Sequence, residues 1–256
     1  MHTRHALATF MLALVGASVV AGGNDVRTVK GESATMHGAP ITTWAKIAAS
    51  GDILEVGVTI PMTVIQRTGQ HMTMVQINFP AEVQRKTFLN HVSIDWMSGG
   101  HEPEGRYNTP HFDVHYYTLT KSAVRQIDCK DLTLLAPNKV PTGWLPAVPP
   151  GVPASAVCVP MMGFHSLPAS EFTAPGQFKA GFFDKVMIAG DYQGRFVFLE
   201  PMVSKAFLMQ KQNFTLPVPP ATNLGRSTLY PNRFHATFDA SANAYHLILS
   251  DFRAVK

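Results

Sequence analysis

Four of the eleven histidines fall between His91 and His115, three of them inside the run WMSGGHEPEGRYNTPHFDVHYY that spans Trp96 to Tyr117. Imidazole and carboxylate are the side chains that hold divalent ions or carry protons near neutral pH. If 110–120 is a strand, successive side chains alternate between its faces. His111, Asp113, His115 and Tyr117 then share one face, and Phe112, Val114 and Tyr116 share the other. The second set is apolar enough to enter a core, which leaves the first aligned and polar. Gly99 and Gly100, with Pro103 and Pro110, let the chain fold back and bring His101 beside that strand.

Spacing limits what these residues can do together. On a regular strand His111 and His115 stand about 13 Å apart, while Asp113 and His115 are about 7 Å apart. Two ligands of one ion lie only about 3–4 Å from each other, given bonds of roughly 2.0–2.1 Å. Both imidazoles reach a single ion only if the strand is bulged or bent; otherwise one of them serves elsewhere. The spacing lacks the precision of C-x-x-C or HExxH. The alternative is that each histidine simply hydrogen-bonds a carbonyl or carboxylate on a half-buried sheet.

Other chemistries find less support. The chain has no G-x-S-x-G elbow, P-loop or G-x-G-x-x-G. Ser93 and Ser98 lie near the histidines, but nothing marks either as a nucleophile. Glu102 and Glu104 flank a proline in an expected turn and read as solvated loop charges. His71, Met72 and Met74 form HMTM, whose alternation reads as a core strand face rather than a copper site. The formal charge of +4 arises from 21 basic and 17 acidic residues without a basic cluster, so nucleic acid is not an expected partner.

The elements that must position the histidines read as strands. Short runs rich in β-branched and aromatic residues span 53–60, 72–79, 91–97, 110–120, 178–188, 195–199, 227–238 and 244–252, bounded by Gly, Pro, Asn or Asp. The last two look like a hairpin turning through Asp239–Asn243. Helical periodicity is confined to short turns near Ala81–Arg85 and Lys121–Ile127, and no crossover helices of parallel βαβ units are visible. The expected fold is all-β, an antiparallel barrel or sandwich with few short helices and a long proline-rich loop over 137–160. With 46% hydrophobic and 15% charged residues, neither disorder nor a long coiled coil fits.

Residues 1–21 read as a signal peptide. His2, Arg4 and His5 precede an uncharged apolar stretch from Ala6 to Ala21, and Val19-Val20-Ala21 suits a signal peptidase. The expected product is an exported single all-β domain, residues 22–256, periplasmic or extracellular, with no transmembrane segment after cleavage. In an oxidising compartment Cys129 and Cys158 most simply pair with each other, the alternative being two buried free thiols.

The run from Trp96 to Tyr117, together with MGFH at Met162–His165 and FLEPMVSKAFL at Phe198–Leu208, resembles an uncharacterised family of exported bacterial proteins. It is a domain of unknown function typified by a Thermus protein under sigma-E and anti-sigma-E control. The resemblance extends from about Val29 to Phe252 and departs at Tyr116, where Phe is the commoner residue. It implies an all-β fold and a homo-oligomer, but no activity. It also suggests that His165 and Glu200 join the cluster. Gly163 before His165 permits a close backbone approach. Glu200 sits in an apolar strand, where an unpaired carboxylate is costly. It serves there as a salt-bridge or hydrogen-bond partner, or as a ligand or orienting group. The candidate metal ligands are therefore His101, His111, His115 and His165, supported by Asp113, Tyr107 and Glu200. Imidazole with carboxylate suits a divalent ion such as zinc, iron or manganese. Three classes follow: a metal-dependent protein acting on or binding a small molecule, a noncatalytic small-ligand binder without metal, or a structural envelope oligomer.

Overall fold

The computed structural model of the protein describes residues 25–220 and 224–255. The expected leader lies outside them. Along the chain run β1 (Arg27–Met36), β2 (Ala39–Ile47), β3 (Ile53–Pro61), β4 (Thr73–Asn78), β5 (His91–Met97), β6 (His111–Tyr117), β7 (Trp144–Pro146) and β8 (Phe164–Pro168). There follow β9 (Phe172–Ala174), β10 (Gln177–Phe178), β11 (Lys185–Tyr192), β12 (Arg195–Ser204), β13 (Phe214–Leu216), β14 (Thr228–Asp239) and β15 (Ala244–Val255). Among the described residues four short α-helices interrupt them: Met62–Gln66, Ala81–Lys86, Lys121–Val124 and Lys205–Leu208.

Of the two expected architectures the sandwich is found and the barrel is not. One antiparallel sheet has the order β1-β2-β3-β15-β14-β13, a second β4-β5-β6-β12-β11-β8-β7, and β9 and β10 pair in a separate two-stranded sheet. Each of the first two ends in free edges, so neither closes on itself. The inner faces meet in one apolar core that includes Ile41, Val56, Val58 and Leu247 from the first sheet and Val92, Ile94, Val114 and Leu199 from the second. The Tyr116 hydroxyl donates to the Leu247 carbonyl at 3.0 Å and ties the two layers together.

The outer faces differ, and that difference creates the site. In β2 buried Ala39, Ile41, Thr43, Ala45 and Ile47 alternate with more accessible neighbours, as expected for a sheet with one wet face. In β6 all seven residues are buried, and in β12 every residue but Arg195. The second sheet is covered on its outer side by the segments between its strands. One apolar cluster of that cover joins Tyr107, Leu167, Phe183, Val186, Ile188 and Met202. Another joins Tyr117, Val124, Ile127, Tyr192, Val197 and Phe198. Cys129 and Cys158 form a disulfide with 5.8 Å between their Cα atoms, which fastens the proline-rich part of the cover.

Some expectations shift. The strand expected over 178–188 begins at Lys185, and β1, β2, β7, β8, β9 and β13 had no counterpart in the sequence reading. The HMTM segment lies on the edge strand β4 and just before it. Met72 and Met74 are 67% and 50% exposed, so their alternation does not mark a core face.

Candidate metal centre

Strand β6 places His111, Asp113, His115 and Tyr117 on the covered outer face and sends Phe112, Val114 and Tyr116 into the sandwich core, as alternation requires. Its neighbours supply the rest. Ser93 of β5 stands opposite His115, and Asp95 opposite Asp113. Met202 of β12 stands opposite Asp113 and Phe198 opposite Tyr117, so Glu200, between them in register, shares their face. His165 of β8 faces Gly190 of β11.

The four imidazoles named from sequence gather in two neighbouring groups rather than at one point. His101, His111 and Asp113 form the first, and His115, His165 and Glu200 the second. Within each group one donor atom per residue lies within 4.8 Å of the others. The division follows from the strand rise: β6 is unbulged between His111 and His115, so the two rings cannot converge. Each group consists of two imidazoles and one carboxylate.

The first group closes when the segment between β5 and β6 folds back. His101 Nε2 reaches to 3.7 Å from Asp113 Oδ2, while its Nδ1 faces the Glu102 carbonyl at 2.7 Å. His111 Nδ1 is held by the Thr109 carbonyl at 2.7 Å. Its Nε2 stands 2.9 Å from Asp113 Oδ1 without the alignment of a hydrogen bond. In the second group His115 Nδ1 faces Asp95 Oδ2 at 3.0 Å, and its Nε2 lies 3.3 Å from Glu200 Oε1. His165 Nε2 is 3.9 Å from Glu200 Oε2. The backbone turn before His165 needs Gly163, at φ +86°, because a Cβ there would meet the Asp191 carbonyl oxygen at 2.3 Å.

Two features of this arrangement favour a cation. For His101, His111 and His115 an oxygen acceptor at Nδ1 selects the Nδ1–H tautomer, which turns the Nε2 lone pair toward the carboxylates. His111 Nε2, Asp113 Oδ1, His115 Nε2 and Glu200 Oε2 are all buried without a hydrogen-bond partner, an expensive condition in a protein interior. Among the described residues, the ion-pair partners of Asp95, Asp113 and Glu200 are all histidines. No described lysine or arginine pairs with the three carboxylates.

The proton affinities follow from that imbalance. Burial alone would lower His115, but the Glu200 charge and the Asp95 hydrogen bond outweigh it and raise it to about 9. At His101, burial is similarly outweighed by Asp113, which raises the ring to about 9. Asp113 is itself drawn well below the usual carboxylate range against its burial, by the two imidazoles of His101 and His111 that face it. Burial and the Asp113 charge push the Glu200 carboxyl up. His165 is lowered to about 3 by burial and by the neighbouring imidazoles, which keeps it neutral and available as a ligand.

Residues 49–96 match the family model described as TTHB210-like, hypothetical protein TTHB210. The match is shorter than the stretch from Val29 to Phe252 over which the sequence resembles the exported family described above. The TTHB210-like segment covers β3 to β5 and ends at Trp96, so it contains Ser93 and Asp95 but none of the six residues of the two groups. No curated protein and no solved structure matches the chain.

Tyr107 does not serve the two His/carboxylate groups through its hydroxyl. It donates to Glu171 Oε2 at 2.7 Å, and Arg106 grips the same carboxylate with contacts of 2.7–2.9 Å. The pair anchors the segment that carries His101. Asp95 is the functional candidate that sequence reading missed. Its signal was present in HVSIDWM, where Ser93 and Asp95 break an apolar strand at alternate positions. Ser93 is no nucleophile here: its hydroxyl donates to both Asp95 oxygens, at 3.1 and 3.2 Å. Glu102 and Glu104 are exposed, as expected of loop charges.

Proposed function

We propose that this protein is an exported, divalent-metal-binding β-sandwich in which each group of two histidines and one carboxylate holds one ion. The four buried, unpartnered donor atoms carry this reading, because two fall in each group and one ion per group would satisfy them. The donor set fits zinc, iron or manganese: two imidazoles and a carboxylate form the protein half of many catalytic sites and leave positions open for water or a small molecule. Acting on or binding a small molecule at such an open position is the extension of this reading, and it sets the metal-dependent class ahead of the structural one. The Cys129–Cys158 disulfide supports export. We place one all-β domain at residues 22–256 after cleavage of the leader, and a homo-oligomer is part of the same proposal.

Elemental analysis of untagged protein tests it. Loading with zinc followed by dialysis should leave close to one ion per group. The His111→Ala/Asp113→Ala protein should lose one ion and His115→Ala/Glu200→Ala the other, with circular dichroism unchanged. Protein that retains no metal, and whose melting temperature does not respond to chelator, would show that protons rather than ions fill the two groups.

A further inference from the structure

A second set of unpartnered polar atoms lies away from the histidines. The proline-rich segment arches over the flank of the second sheet and borders a half-open cavity of about 530 Å³, within the size range of small-molecule sites. Its walls are mainly apolar, with Leu135, Val140, Trp144 and Phe164 prominent, and Asp191 is the one ionisable residue in its lining. Strand β8 separates this space from the metal groups by alternation. Phe164 and Ser166 line the cavity, while His165 between them belongs to the group with His115 and Glu200.

Two lining side chains each carry a buried oxygen without a partner. Asp191 is 4% exposed and Ser166 is 1% exposed, and neither Asp191 Oδ1 nor Ser166 Oγ has a hydrogen-bond partner. Ser166 pairs with Ala189, two residues from Asp191, which makes them diagonal neighbours about 7–8 Å apart on one sheet face. A single polar head can bridge that distance. Burial pushes the Asp191 carboxyl up to about 7 against the pull of the Leu135 backbone N–H, as expected for an acid without a countercharge.

We infer that this cavity binds a small molecule with an apolar body and a protonated amine, the ammonium donating to both Asp191 Oδ1 and Ser166 Oγ. An ammonium offers three donors and the missing positive charge. An alcohol supplies one donor and no charge, and a carboxylate would be repelled. The apolar and aromatic walls receive the body of the ligand. This site shares no residue with the two metal groups, and the inference does not depend on their occupancy.

Isothermal titration calorimetry with 2-phenylethylamine, 2-phenylethanol and phenylacetate tests the inference. The amine should bind one per chain, and the alcohol and the acid at least about tenfold more weakly, the loss expected when a buried charge is left unpaired. Asp191→Asn should weaken the amine about tenfold or more and leave the alcohol nearly unchanged, on the same argument. Val140→Trp, which fills the cavity and leaves Asp191 intact, should abolish binding of both. Absence of saturable amine binding to the wild-type protein would overturn the inference, as would amine binding that survives both substitutions.

Discussion

Replacing Asp95 by Asn probes the proposed metal groups most sharply, because Asp95 touches no proposed ion and acts only through His115. Its Oδ2 sits 3.0 Å from His115 Nδ1, and Ser93 donates to both carboxylate oxygens. An asparagine there has two orientations. With its oxygen toward His115 the tautomer survives and only the charge is lost. With its amide nitrogen toward His115, Nδ1 must accept, the proton moves to Nε2, and the ring cannot ligate. The Ser93 hydroxyl, a donor to this side chain, competes for the one remaining oxygen. Loss of such an orienting partner commonly weakens a metal site about 10–100-fold, equivalent to about 1.4–2.8 kcal/mol. Zinc affinity measured by chelator competition should therefore fall by that factor at the group containing His115, while the group containing His101 changes little. In a His115→Ala background Asp95→Asn should have almost no further effect, since the cycle isolates the pairwise term. Equal weakening of both groups, or an unchanged affinity in the single variant, would refute the argument that Asp95 sets the tautomer.

Three further outcomes follow from the geometry. Glu171→Gln removes the charge that Arg106 and Tyr107 share in a site only 13% and 9% exposed at the paired side chains. Breaking such a buried pair costs about 3–5 kcal/mol, so chemical denaturation should show a loss of that order, with the ion held by His101 lost before the one held by His115. In Gly190→Ala the new Cβ would lie 2.1 Å from carbons of the Phe198 ring, which contacts both His115 and His165. Overpacking of this kind costs about 1–3 kcal/mol, and elemental analysis should show depletion of the second group only. Acid stability in the presence of chelator should reveal opposed buried groups, His91 and Asp191 among them. His91 is lowered to about 4 by burial, so the folded state binds fewer protons than the unfolded chain between about pH 4 and 6.5, and stability falls as pH drops. Asp191, raised to about 7, binds more protons when folded and makes stability rise as pH falls from about 7 toward 4. The two contributions are of similar size, about 3–4 kcal/mol each. Urea titrations at several pH values should show Asp191→Asn losing stability on acidification more steeply than the wild type, and His91→Phe less steeply.

Much of this arrangement was legible because period-two alternation is a local property. The face shared by His111, Asp113 and His115, the core face of Phe112, Val114 and Tyr116, and the Asp239–Asn243 hairpin all follow from residues close in sequence. The rise per residue even signalled that His111 and His115 would part company. What escaped notice depended on the tertiary setting. Strand β1 carries Lys30, Glu32 and Ser33 and is mostly exposed, as an edge strand can be, so no apolar run announced it. β7 and β13 are three residues long and exist only because a neighbour offers hydrogen bonds. Tyr107 lay close enough to His101 to suggest a shared role, but Glu171, 64 residues away, captures its hydroxyl.

The same alternation explains why a polar cluster and a solid core coexist in one sheet. Each central strand of the second sheet carries two independent messages, one on each parity of residue. Val92, Ile94, Val114 and Leu199 address the opposing sheet, while Asp95, Asp113, His115 and Glu200 address the cover. A bare sheet would leave the second message in water, where imidazoles and carboxylates satisfy themselves by hydration and hold an ion weakly. Burial by the cover withdraws that water and makes the unpartnered donors costly. Fastening the cover, through Arg106 with Glu171 and through Cys129 with Cys158, is therefore part of the binding chemistry rather than an accessory to it. Substitutions in the core parity should then reduce stability while sparing ligand geometry, and those that loosen the cover should weaken the proposed sites before the sandwich itself unfolds.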